Sequence, residues 1–442
     1  EQIDPRQLAL LIQAVAKAVA EPASEPASPP PAAAGEASST PKVRSKPTGR
    51  RPLPAALPRE RVVYTPPSLA CPCCGSERVK IGEETSEMLD WSPATFRVLV
   101  HAREKYACGR CKEGVEIAPA PDKVIGGGLP GSGLVAQVVV AKYRDHLPLE
   151  RQAQIYRRSG VELSPSTLGD WVTAAVTLLS PLSELIFARA LSAHTLQVDD
   201  TKLRVLDRSD PRHIKRGHQW VLVGDRRWIA FAYTETWEGK AARKLVDKRV
   251  GWLQADGYAG FAELFTRPRA TAIEVGCMAH ARRKFVDALK GGEARAAVAV
   301  EIFQRLYRVE REAKDQRLDP EATCALRQER SAPILDELGR WIAATHPLAP
   351  PRSPLGKAIY YTVKRWKQLS RFMEDGALDI DNTAAERALR MVALGRANWM
   401  FAGSDAGARR AAVLYTVIAT AVAWGVEPWT FVLLGHFMTL AS

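Results

Sequence analysis

Cysteine, histidine, methionine and aromatic side chains are all scarce in this 442-residue chain, at 7 Cys, 8 His, 6 Met and 7% aromatics. Five of the seven cysteines fall between positions 71 and 111. That clustering excludes a disulfide framework spread along the chain and leaves a local metal site as the expected use of the thiols. Acidic residues are in deficit: 49 Asp and Glu face 62 Lys and Arg, a formal net charge of +13. The excess points to a polyanionic partner, nucleic acid before an anionic membrane surface. Long hydrophobic runs are missing as well. The most apolar, Ala411 to Trp424, is too short to span a bilayer and is closed by Gly425 and Pro428. It predicts a buried helix and no membrane partner. The sequence has no internal repeat, and no secretory signal opens it, so a cytoplasmic location is expected.

At 46% hydrophobic and 25% charged, most of the chain should fold, into about two to four units for its length. Residues 5–20 carry apolar side chains at helical spacing. Residues 21–58 are rich in Pro, Ala and Ser, lack apolar periodicity and read as a linker. Arg50 and Arg51 in its basic run suit either a minor-groove arm or a solvated tether. Residues 130–190 look wholly helical. Strands are expected at 194–206, 219–224, 228–234, 251–256 and 271–276, with a helix near 239–249. A charged helical stretch covers 279–346. Helices at 356–374 and 382–394, and two more at the C-terminus, complete the pattern.

Cys71-x-x-Cys74 and Cys108-x-x-Cys111 form two knuckles. A two-residue spacer lets both thiolates of a pair face one ion, and two pairs complete a tetrahedral structural zinc site. The strand-like Phe96–Val100 between them suits a zinc ribbon, although the intervening loop is long and Cys73 competes with Cys71. Buried or redox-active thiols are the alternative. Further on, Leu149–Arg158 reads as a helix ending near Gly160, and Ser164-Pro165 as the cap and first turn of another. This is a helix-turn-helix pattern with Arg157 and Arg158 as phosphate contacts, or an ordinary helical hairpin.

Three places offer acids to one crevice. Leu196-Gln197-Val198-Asp199-Asp200 and Trp252-Leu253-Gln254-Ala255-Asp256 are apolar runs that deliver aspartates, and Asp381 or Asn382 caps a helix that carries Glu386. Clustered carboxylates repel unless a cation lies between them, and hard oxygens select Mg²⁺ or Mn²⁺. From spacing alone, three unrelated acids are the commoner arrangement.

The motifs Val198-Asp199-Asp200-Thr201, Gln254-Ala255-Asp256-Gly257-Tyr258, Cys277-Met278-Ala279-His280, Asp381-Asn382-Thr383-Ala384-Ala385-Glu386-Arg387 and Gly395-Arg396-Ala397-Asn398-Trp399 occur in that order. Together with the long-looped cysteine finger they resemble the DDE transposases of the insertion-sequence-sixty-six family, from about residue 48 onward. The resemblance implies a mixed-sheet α/β catalytic domain of ribonuclease-H type with a helical insertion, joined to a small zinc ribbon and a helical DNA-binding region. It implies Asp199, Asp256 and Glu386 as catalytic acids holding two Mg²⁺ or Mn²⁺ ions. His280, Arg282, Arg283, Lys284, Asn382, Arg387, Arg390 and Arg396 become candidate DNA contacts.

The domains expected are 1–20 (N-terminal helix), 21–58 (linker), 59–125 (zinc), 126–190 (helix-turn-helix), 191–288 and 356–402 (catalytic halves), 289–355 (insertion) and 403–442 (C-terminal helices). The implied partners are double-stranded DNA at element ends and target, a second copy of the chain and accessory proteins of the same element, in a nucleoid-associated bacterial setting. Asp200 stands where the family usually has Glu, Thr383 where it has Asn, Met391 where it often has Pro and Ala397 where it has Lys. These departures keep open a second reading, a DNA-binding remnant or regulator without catalysis.

Overall fold

Branched and aromatic residues at alternate positions make the stretch around Phe96 a strand, and it extends well beyond the segment that suggested it. The computed structural model describes residues 53–440 apart from 56, 93–94, 111–113 and 127. The expected N-terminal helix, most of the linker with Arg50 and Arg51, and Cys111 lie outside the described residues. Two units are formed, one from residues up to 138 with 152–171 and 429 onward, the other from 139–151 and 172–428.

In the first unit, β1 (Arg59–Tyr64) runs parallel to β3 (Thr95–Cys108), and β2 (Arg78–Ser92) and β4 (Glu116–Ile117) run antiparallel to it. The β2–β3 hairpin occupies most of the sequence between the two knuckles and returns Cys108 directly opposite Arg78. The long loop is therefore a folded lever, not slack.

The helical stretch expected over 130–190 divides into α1 (Ser132–Tyr143), α2 (Leu149–Arg158) and α3 (Pro165–Ser192). His146 at φ 61° and Gly160 at φ 78° mark the two breaks. Ser164 Oγ accepts the Thr167 amide at 3.0 Å, so the anticipated cap is formed. By length and composition α3 is apolar enough to cross a membrane, a property the sequence expectation assigned to no segment. Ser and Thr interrupt its apolar run and conceal it.

The second unit holds a five-stranded mixed sheet in the order β7-β6-β5-β8-β9. β5 (Thr195–Leu206), β6 (Ile214–Gly224) and β7 (Trp228–Thr234) are antiparallel neighbours, and β8 (Gly251–Gln254) and β9 (Ala272–Val275) continue the sheet in parallel. β6 starts five residues before its expected position, because polar Lys215 and Arg216 pair with the outer end of β5. The crossover segments carry α4 (Gly239–Val246) and α5 (Ala262–Thr266), and α6 (Met278–Lys290) follows β9.

The charged helical stretch beyond α6 contains α7 (Ala296–Asp315), α8 (Pro320–Leu326) and α9 (Ala332–Thr345). On α7, Ala299, Ile302, Phe303, Leu306 and Val309 form one buried stripe. Residues 356–374 were expected as one helix. The chain instead turns at Arg365 between α10 (Pro354–Lys364) and α11 (Trp366–Ser370). Three helices follow: α12 (Thr383–Trp399), α13 (Asp405–Ala423) and α14 (Pro428–Leu440).

The apolar run Ala411–Trp424 lies mostly in α13 and is buried, as its composition predicts. Two of its threonines cover the open edge of the sheet: Thr416 Oγ1 accepts the Phe231 amide at 2.8 Å and Thr420 Oγ1 the Ile229 amide at 3.1 Å. One helical turn apart, they satisfy N–H groups that an edge strand leaves unpaired.

Candidate carboxylate centre and cysteine site

The first knuckle closes tightly. The Gly75 amide reaches Cys71 O at 2.9 Å and the Cys71 amide reaches Ser76 O at 2.9 Å, with Gly75 at φ 71°. The backbone amides of Cys73 and Cys74 point at the Cys71 sulfur and hold its thiol below the usual range. Cys71, Cys74 and Cys108 bring their sulfurs within 4.8 Å of one another. Four thiolates about 2.3 Å from one zinc ion would be spaced on this scale. Cys73 is exposed and stays out of the group, which resolves its competition with Cys71. Three of the four expected ligands are thus seen to converge.

The acids are positioned by strand register. β5 and β8 pair in parallel with Gln197 opposite Gln254. Asp199 and Asp256 each lie two residues beyond that pair, so adjacent parallel strands deliver both at the same end of the sheet. Glu386 sits in the first turn of α12, which packs on β5. Burial pushes the Asp199 carboxyl up to about 7, and the charges of Asp256, Glu386 and Asp200 add to the shift. Asp199 therefore senses both of the other acids. The three do not meet at one point: among the described residues only the three cysteines gather ligand atoms within 4.8 Å.

The neighbouring acids are committed elsewhere. Alternation along β5 turns Asp200 to the opposite face from Asp199. There it binds His218 Nδ1 at 2.5 Å and accepts the Trp237 indole N–H at 3.2 Å. Asp381 accepts the Tyr307 hydroxyl at 2.7 Å and the Thr383 amide at 3.0 Å, so it, and not Asn382, caps α12 through its side chain. Asp379 pairs with Arg226.

Two residues that the sequence did not single out mount the centre. Gln197 donates to Asp379 Oδ2 at 2.6 Å and Asp381 O at 3.1 Å, and accepts the Ala385 amide at 3.2 Å. Gln254 donates to Asp379 O at 2.9 Å and Gly276 O at 3.0 Å. Both glutamines are buried, and both grip the loop that launches Glu386. The repeated Gln-x-Asp spacing marks the two residues as a pair but does not show which way they face.

Around Glu386, Arg283 Nη2 lies at 3.5 Å and His280 Nε2 at 3.9 Å. Cys277, pushed up to about 12 by burial, is a neutral thiol that touches His280 Nδ1 at 3.2 Å. Burial also lowers the His280 pKa, which keeps the ring neutral. Arg283, Lys284, Arg387 and Arg390 are exposed beside this centre, and Arg282 and Arg396 are half-buried. Arg157 and Arg158 are exposed in the first unit. Asn382 is the exception among the expected DNA contacts. It is fully buried and its side-chain amide has no partner, so it cannot touch a DNA backbone in this conformation. Its place directly before α12 puts it under the helix rather than on its outer face.

Comparison with known proteins adds a decisive observation. The family model described as Transposase IS66 family matches residues 127–410, and the zinc-finger binding domain of transposase IS66 matches residues 68–112. The chain belongs to the IS66 transposase family. A third model, Transposase C of IS166 homeodomain, matches residues 1–62. Two uncharacterized proteins of Sinorhizobium fredii, y4jD and y4hP, are each 36% identical to the chain, over 392 and 422 residues. The alignments cover 86% and 90% of this chain and 76% and 75% of theirs. The family's zinc-finger match encloses all three converging cysteines, and its main match encloses Asp199, Asp256 and Glu386.

Proposed function

We propose that this chain cuts element-end DNA and joins it to target DNA, using Asp199, Asp256 and Glu386 as the ligands of two Mg²⁺ or Mn²⁺ ions. The carrying observation is the register that delivers Asp199 and Asp256 side by side with Glu386 facing them. The donor set fits hard divalent ions: it is all carboxylate oxygen, and burial, with a smaller contribution from the other acids, raises the pKa of Asp199. Two ions about 3.5–4 Å apart spread their ligands over more space than a single ion does, in keeping with acids that interact without converging. Bound there, the ions would lower the pKa of an attacking water or hydroxyl and neutralise charge on the phosphodiester.

The protein's own groups supply the rest. Gln197 and Gln254 fix the helix that carries Glu386. Arg283 offers a guanidinium that can move from Glu386 to a phosphate oxygen. Neutral His280, its Nδ1 side held by Cys277, presents Nε2 to the centre without adding charge. An antiparallel meander followed by two parallel strands supports the ribonuclease-H-like reading of residues 191–288 and 356–402, with 289–355 as the insertion. Zinc held by Cys71, Cys74, Cys108 and Cys111 would stiffen the 59–125 domain. The α2–α3 pair, with Arg157 and Arg158, would grip terminal repeats within the 126–190 region. Two ends must meet, so a dimer or larger assembly is the working form, and accessory proteins of the element fit the same reading.

The test uses labelled element-end duplex and a Mg²⁺ titration, scoring nicks and strand-transfer product separately. Asp199→Asn, Asp256→Asn and Glu386→Gln should each abolish both products and retain end binding. A triad variant that still joins strands overturns the assignment. A wild-type chain that binds ends and never nicks them establishes instead a DNA-binding remnant.

A further inference from the structure

Strand β5 is covered on its β8 side only as far as Gln197. Beyond Asp199 that edge meets no strand until Val205 bridges to Ala402. The C-terminal part of α12 crosses the gap, and Arg396 Nη1 donates to Thr201 Oγ1 at 2.7 Å and to Lys202 O at 2.6 Å. Beside this crossing lies a pocket of about 590 Å³ whose polar lining is Lys202, Arg204, Arg216 and Arg396. Its remaining lining, which includes Ala397 and Met400, is apolar, and no carboxylate contributes.

Such a quartet is costly to assemble. Arg204 and Arg216 stand directly opposite each other in the β5–β6 register, where like charges repel. None of the four cations makes an ion pair among the described residues. Several other basic side chains in the same unit are matched, Lys215 to Asp405, Arg409 to Glu235 and Arg243 to Glu263. The carbonyls at the end of α12 oppose an anion. Arg396 in the last turn offsets them, and three further cations outweigh what remains.

We infer that this pocket seats the sugar-phosphate backbone of DNA, with Lys202, Arg204 and Arg216 as phosphate contacts beside Arg396. The apolar part of the lining suits the sugar. Its place on the cleaved strand rests on the carboxylate centre proposed above. Lys202 and Arg204 lie three and five strand residues beyond Asp199, or about 10 and 17 Å along β5, and alternation turns them to the face opposite Asp199, so a strand that reaches both passes around the free edge of β5. At about 3.4 Å of rise per nucleotide, the phosphates held there are about three to five nucleotides from the reacting one.

The test measures affinity for a short duplex by fluorescence anisotropy against salt concentration. Combining Lys202→Ala, Arg204→Ala and Arg216→Ala should reduce the slope of log affinity on log salt by about 2 to 3. An equal charge removal on α7, by Arg308→Ala, Arg311→Ala and Lys314→Ala, should leave it unchanged. A pocket variant with the wild-type slope, or with the same slope as the α7 variant, overturns the site. Arg204→Gln alone guards against a folding artefact: relief of the Arg204–Arg216 repulsion should raise the melting temperature while DNA binding weakens, and a fall in both refutes a functional origin for the pair. Phosphate ethylation then fixes the register. Ethylation about three to five nucleotides from the nick should block the wild type and not the triple variant. A reduced slope with interference elsewhere overturns the placement on the cleaved strand, whereas failure of nicking by the wild type bears on the carboxylate centre alone.

Discussion

Replacing the two buried glutamines by methionine tests whether the loop before α12 sets the geometry of the acids. Met matches Gln in length and volume and cannot hydrogen-bond through an amide. In Gln197→Met the Asp379 carboxylate keeps Arg226, but Asp381 O loses its 3.1 Å donor and the Ala385 amide its 3.2 Å acceptor. At about 1 kcal/mol for each neutral hydrogen bond, and more for the carboxylate, the total is about 3 kcal/mol. Gln254→Met removes the donors to Asp379 O and Gly276 O, for about 2 kcal/mol. Both act on one loop, so the double variant should cost less than the sum. The larger effect falls on the ions, because loss of the groups that orient metal ligands typically costs about 10–100-fold in affinity or activity. The assay is a Mn²⁺ titration of the DNA-free protein by calorimetry, paired with nicking at saturating DNA. The half-saturating Mn²⁺ should rise at least about tenfold in each single variant. A double variant that loses stability but keeps the wild-type Mn²⁺ affinity would show that the glutamines merely fill the core, and the positioning argument would fail.

Three further outcomes follow from the same contacts. In metal-free protein, Asp199 has a folded pKa of about 7 against an ordinary value near 4. The folded state therefore holds a proton that the unfolded state has lost, and stability is lost as pH rises through about 7. Asp199→Asn should be more stable than wild type at pH 8, by a margin on the order of 2–4 kcal/mol that vanishes below about pH 4, in urea melts with chelator present. A chelator or Cys108→Ser should release about one zinc ion per chain and lower the melting temperature of the first unit, whereas Cys73→Ser should change neither; metal analysis with calorimetry distinguishes them. Arg327 is buried with Glu310 and donates to Phe372 O, Asp375 O and Leu378 O at 2.7–3.0 Å. Arg327→Met leaves Glu310 and three carbonyls without this donor. It should cost about 3–5 kcal/mol in a denaturant melt, and Glu310→Gln should cost less.

The second unit's strands were legible because each is a short apolar run bounded by turn residues, and four of the five appear within three residues of their expected limits. β6 was cut short where its outer residues are basic: a strand end with Lys215 paired to Asp405 and Arg216 lining the pocket does not read as a strand. The parallel pairing of β1 with β3 left no local signal, since register between segments far apart is set by the packing of both. The three acids were named from motifs, but no spacing rule says that Gln197 and Gln254 face inward. That follows only from the pairing that puts them opposite each other and from the loop they hold in common. Asn382 was named from its motif, and a motif does not tell that its side chain is buried while Asp381 accepts the Thr383 amide.

Position in the sequence does not separate Asp199 from Asp200, or Glu386 from Asp379 and Asp381; partners do. Asp200 is tied to His218 and Trp237, Asp379 to Gln197 and Arg226, and Asp381 to Tyr307. Each of these carboxylates already accepts from donors in place, which a divalent ion would have to displace. Among the described residues, Asp199 and Asp256 accept only nearby backbone amides, from Asp200 at 2.8 Å and Tyr258 at 2.9 Å. Glu386 has Arg283 at a loose 3.5 Å. Burial raises the pKa of Asp199, and the charges of Asp256 and Glu386 add to it, an arrangement that costs stability unless a cation offsets it. The same rule applies to the basic residues of this unit: those with carboxylate partners hold the fold together, and Lys202, Arg204, Arg216 and Arg396, unpaired among the described residues and gathered in one pocket, have an anion still to meet.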